Sequence, residues 1–207
     1  MRFAIGLLFV LACKGGDETD TDTSDDTDTS AGTVLRSYDP TACAESTTVL
    51  SGAPDVEDGH FAAAALTPSG AFTVAKVGAE LLHDPAGTLG CDASLAGRFE
   101  VYVTTADAPP ANATPDAAVD YDAATVDDVT RIVEVETPDL DVADGERIFV
   151  AIRMAASASG TTCVRTCTSG GSPDDAFWSN ADAPPYDWAP LSDFDIDATP
   201  FLWASEP

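Results

Sequence analysis

The stretch Arg147-Ile-Phe-Val-Ala-Ile-Arg-Met154 decides the fold class. Ile148, Val150, Ile152 and Met154 recur at period two, so an extended chain places them on one face and Arg147 and Arg153 on the other. Residues Arg98 to Val103 repeat the pattern, with Phe99, Val101 and Val103 expected inward and Glu100 outward. Further strands are expected over 61–66, 72–82, 130–136 and 201–204. Turn clusters such as Thr67-Pro-Ser-Gly70 and the segment 107–115 separate them. No segment carries a long helical period, which removes the helices that a βαβ fold needs. Many short strands between turn signals predict an all-β antiparallel sandwich, jelly-roll-like in character.

The charge of the chain is unusual. Among 207 residues, 36 acids face 9 basic residues, giving a formal net charge of −27. Such a surface repels phosphate backbones, which excludes a nucleic-acid partner. It equally disfavours adhesion of the domain to anionic lipid, and it reads as a device for solubility.

The first residues carry a different message. Met1-Arg2 is a short positive start, Phe3 to Leu11 is apolar, and Ala12-Cys13 follows. Nine apolar residues are too few to span a bilayer as a helix but suit the core of a signal peptide. The ending Val10-Leu11-Ala12-Cys13 resembles the lipobox of bacterial lipoproteins. That resemblance implies cleavage after residue 12, lipid on Cys13, and membrane attachment through acyl chains such as palmitate. Lys14 stands where an inner-membrane retention signal has Asp, which points to the outer membrane. Residues 15–31 are Gly, Asp, Thr and Ser with seven acids, a composition that cannot offset chain entropy by burial. At about 3.3 Å per residue this spacer reaches some 50 to 60 Å. The expected layout is therefore a signal peptide over 1–12, a lipidated and disordered tether over 13–32, and a sandwich over 33–207.

Four cysteines remain in the folded part: Cys43, Cys91, Cys163 and Cys167. An even number in an exported chain reads as two disulfides with three possible connectivities. Cys163-Val-Arg-Thr-Cys167 sits in a Gly/Ser/Thr-rich segment that reads as a loop. This leads to the expectation of a local 163–167 bridge and a second bridge from Cys43 to Cys91.

A wider resemblance runs through Phe72 to Val74, Cys91, Phe99 to Val103, Pro109-Pro110, Gly145 to Ile152, the Cys163/Cys167 pair, Phe177 to Asn180 and Pro185 to Trp188. This order is similar to small β-sandwich modules in secreted and lipid-anchored proteins of myxobacteria and related Gram-negatives. The resemblance implies a fold and a location, and it carries no activity.

Candidates for chemistry are few. His60 and His83 are the two histidines, and no Gly-x-Ser-x-Gly elbow, His-Glu-x-x-His or phosphate loop accompanies them. The expectation is a non-catalytic structural or interaction module without a cofactor, partnered by the membrane and by an envelope protein or glycan. The alternative is a carbohydrate- or Ca²⁺-binding module. Trp178, Tyr186 and Trp188 could form a stacking platform for sugar rings. Asp193, Asp195 and Asp197 recur at i, i+2 and i+4 as oxygen ligands of Ca²⁺ often do. Asp55, Glu57 and Asp58 form a second acidic cluster, and Asp120, Asp122, Asp127 and Asp128 a third. Chance alone produces such clusters in a chain this acidic, and the twelve-residue loop of a dedicated Ca²⁺ hand is missing.

Overall fold

The computed structural model describes residues 32–43, 47–51, 59–157, 160–168 and 171–207. Residues 1–31, including Cys13, and the cluster Asp55, Glu57 and Asp58 lie outside the described residues. From residue 31 onward the chain makes one compact unit. Its first eight strands are β1 (Val34–Arg36), β2 (Thr47–Ser51), β3 (Phe61–Leu66), β4 (Phe72–Leu82), β5 (Gly97–Thr104), β6 (Ala117–Tyr121), β7 (Thr130–Val142) and β8 (Arg147–Arg153). There follow β9 (Ala156–Ser157), β10 (Gly160–Thr161), β11 (Cys163–Cys167), β12 (Ala176–Ser179), β13 (Ala189–Pro190), β14 (Thr199–Pro200) and β15 (Leu202–Ser205).

Two antiparallel sheets pack face to face, as the alternating strands predict. The first runs β1-β15-β4-β11-β14, with β7 paired to β4 and β2 to β11. The second runs β13-β12-β3-β8-β5-β6. Between them lie Val74, Val77, Ala79 and Leu81 of β4, facing Phe99 and Val101 of β5 and Ile148, Val150 and Ile152 of β8. Full burial of the Val, Leu, Ile and Phe side chains stabilises by roughly 1.5–3 kcal/mol each. Phe61-Ala-Ala-Ala-Ala-Leu66, helical by propensity, is held extended because β8 and β12 pair with it on both sides. Tertiary pairing overrides local preference there.

The centre of the second sheet is buried on both faces. Phe61, Ala63, Tyr102, Phe149, Phe177 and Tyr186 belong to a second apolar cluster on its outer side. Two loops roof this cluster, joined where the Tyr186 N–H donates to the Ala111 carbonyl at 2.8 Å. Glu100 therefore corrects the sequence expectation. It points away from the interlayer core as alternation requires, yet it is 5% exposed because the roof covers it.

The outer face of the first sheet is polar. Lys76 Nζ lies 3.6 Å from Glu134 Oε1, and Arg165 pairs with Glu80. Trp203 of β15 lies across Gly78 of β4, where any side chain would collide with the indole. Its Nε1 donates to Glu134 Oε2 at 3.3 Å.

Both disulfides form, with a pairing other than the expected one. Cys43 bonds Cys167 and Cys91 bonds Cys163. The segment read as a loop is strand β11, paired with β2 over five residues. Four residues of extended chain separate two Cα atoms by about 13 Å, far beyond the 5.5–6 Å of a disulfide. A local bridge is thereby barred, and the two cysteines bond partners 124 and 72 residues earlier in the chain. Two disulfides of this kind mark an extracytoplasmic protein.

Candidate binding cleft

Alternation along β5 places Arg98 and Glu100 on the outer face of the second sheet, and the β5–β6 register sets Asp120 opposite Arg98. Arg153 ends β8 beside them, and the roof loop contributes Asp182 and Tyr186. Together with Asp122 these residues line a cleft of about 610 Å³, within the range of roughly 300–1,000 Å³ typical of small-molecule sites. Phe61 and Tyr121 also border it, both of them buried.

Glu100 forms the buried centre of this cleft. Its Oε2 accepts from the hydroxyls of Tyr102 at 2.6 Å and Tyr186 at 3.1 Å. Its Oε1 lies 3.4 Å from Arg98 Nε, but the pair is not aligned as a hydrogen bond and Arg98 Nε is a buried donor without an acceptor. Arg98 Nη1 is 3.9 Å from Asp120 Oδ1. Burial, reinforced by the hydrogen bond to Glu100, pushes the Tyr102 hydroxyl far above its ordinary range. Burial and the neighbouring Glu100 charge raise Tyr186 as well. Both phenols thus remain donors at neutral pH. Tyr121 is pushed up to about 12 by burial, against the opposing effect of the Arg131 guanidinium.

The Arg153 guanidinium makes neither an ion pair nor a hydrogen bond among the described residues. Its guanidinium passes against Gly59, whose φ of 97° and bare Cα leave room that a Cβ would take from both Arg153 and Asp182. The roof loop is fastened by Asp187. Its Oδ1 accepts from Ser179 Oγ at 2.7 Å and from the N–H groups of Asn180 at 2.8 Å and Ala181 at 3.2 Å. The Ser179 bond, helped by those N–H groups, holds the Asp187 carboxyl below its ordinary value.

Comparison with known proteins finds nothing similar. No protein-family model matches the chain, and neither a curated protein nor a solved structure does. The myxobacterial resemblance is therefore carried by the quoted residues alone, and the geometry must supply the functional reading.

The aromatic platform expected from the sequence is divided. Tyr186 and Trp188 stand 5.4 Å apart against Phe61 on the outer side of the second sheet. Tyr186 is 5% exposed, a buried hydroxyl donor in place of a stacking surface. Trp178 packs against the interlayer core and stands edge-on to His60 at 5.8 Å. The acidic run is divided too. Asp193 lies in a 3-10 turn over Leu191–Phe194, Asp195 caps it in the left-handed region at φ 57°, and all three carboxylates are exposed. Among the described residues no three His, Cys, Asp or Glu side chains converge as metal ligands. Of the third acidic cluster, Asp120 and Asp122 reach the cleft, whereas Asp127 and Asp128 sit in the exposed connection before β7. Neither histidine lines the cleft. His83 Nδ1 lies 3.6 Å from Asp92 Oδ1 near the Cys91–Cys163 bridge.

Sequence reading missed Arg98, Glu100, Arg153 and Asp182. One signal was present: in a chain with nine basic residues, an Arg-x-Glu on one strand face and an Arg ending the adjacent strand put two rare cations side by side. Asp182 had none, since the roof loop that brings it in has no periodicity to read.

Proposed function

We propose that this chain is a lipid-anchored module of the bacterial cell envelope, held to the outer membrane through Cys13, which displays its sandwich for non-catalytic interaction. The observation that carries the reading is the fate of the cysteines. The other four of the five are consumed in two disulfides, so Cys13 is the odd thiol, placed at the end of an apolar segment where lipid would be added. Two or more acyl chains hold a protein to a membrane effectively permanently. The acidic residues 15–31 then serve as spacer, and the sandwich faces its partners across it.

Incorporation of labelled palmitate in the native host tests this reading. Wild-type chain is expected to label and to sediment with outer membranes, while Cys13→Ser neither labels nor sediments. Equal labelling of the two chains, or an unlabelled wild type, overturns the anchor.

A further inference from the structure

We infer that the cleft around Glu100 is a binding site for a neutral, polyhydroxylated ligand of the size of a short saccharide. The inference rests on reading the sandwich as an interaction module, and it does not depend on the lipid.

The lining alternates in sign. Glu100, Asp120, Asp122 and Asp182 share the cleft with Arg98 and Arg153. A free anion entering it meets four carboxylates, and a free cation meets two guanidinium groups, so neither is desolvated to advantage. A hydroxyl group meets this lining differently, because it donates and accepts at once. Vicinal hydroxyls can donate a hydrogen bond to a carboxylate and accept one from a neighbouring guanidinium, completing both partners.

The unfilled valences are the second observation. Glu100, with a side chain 6% exposed, spends Oε2 on two tyrosine hydroxyls, and its Oε1 accepts no hydrogen bond. Arg98 Nε lacks an acceptor, and the Arg153 guanidinium makes no hydrogen bond or ion pair among the described residues. A buried donor such as Arg98 Nε is costly to leave without an acceptor. The two tyrosines fix the plane of the Glu100 carboxylate, so the ligand does not have to order it on arrival.

The test is saturation-transfer difference NMR on the full chain purified from the envelope. The probes are maltotriose, cellotriose and chitotriose, with sodium phosphate, spermidine and L-alanine as an anion, a cation and a zwitterion. At least one trisaccharide is expected to bind. Arg153→Ala should weaken it tenfold or more with an unchanged melting temperature, since Arg153 holds nothing else in place. Glu100→Gln, which keeps the shape, should weaken binding by a similar factor. The assignment is overturned if no trisaccharide binds, if both variants bind as wild type does, or if phosphate, spermidine or alanine displaces the sugar. Such a failure leaves the anchor intact, because palmitate labelling of Cys13 reports on that alone.

Discussion

Trp203 is packed over the bare backbone of Gly78, its cross-strand partner in register. The missing side chain on one strand is filled by a large one on the next, and the indole bonds Glu134 on a third. Gly78→Val is therefore expected to drive the indole off the sheet. Overpacking of this kind costs about 1–3 kcal/mol, and tryptophan emission should move to the red as melting temperature falls. Unchanged emission and stability would show that the ring does not lie there.

The disulfide pairing can be read chemically. Non-reducing digestion followed by mass spectrometry should yield peptides joining Cys43 to Cys167 and Cys91 to Cys163, and none joining Cys163 to Cys167. The bridges close loops of 124 and 72 residues. Replacing either pair by alanine should lower stability by about 2–5 kcal/mol.

All four tyrosines of the chain are held protonated beyond their ordinary range, chiefly by burial. The folded state binds protons there that the unfolded chain has released, so this stability is complete below about pH 10 and lost as pH rises through the folded values. Ultraviolet titration of the native protein should show no phenol ionising near pH 10, whereas the denatured chain should ionise all four there. A native phenol titrating normally would contradict the burial of its ring.

Asp187 behaves in the opposite sense. Its lowered carboxyl stabilises the fold above its ordinary value of 3.8, and that contribution fades as pH falls further. Asp187→Ala, which removes the fastening of the roof loop, should cost about 1–2 kcal/mol at neutral pH. The difference from wild type in melting temperature should shrink below pH 3.8. A gap that stays constant into acid would mean that the carboxylate charge contributes nothing.

How much of this was legible in the sequence depended on whether a residue announced its neighbours. Strands β5 and β8 were legible because half their residues face one core, and alternation records that directly. Strand β11 was not, since its Thr and Cys side chains are buried by disulfides and by pairing with β2, neither of which leaves a hydrophobic period. Glu100 misled for a related reason. Alternation says which side of a sheet a residue is on, but a roof made by loops some 10 and 85 residues away decides whether that side is wet. The cleft shared this fate, because its walls come from two strand ends and a loop that meet only in three dimensions.

The 43–167 bridge also has a mechanical side. Strand β1 is three residues long and lies at the edge of its sheet, paired to β15 alone. A pull arriving from residue 32 could strip it away with little resistance. The peeling would stop at Cys43, where the load passes through sulfur into β11 and from there to β2, β4 and β14. The domain is thus gripped by its interior, and a frayed edge would leave the rest of the sandwich, with its cleft, in place under tension.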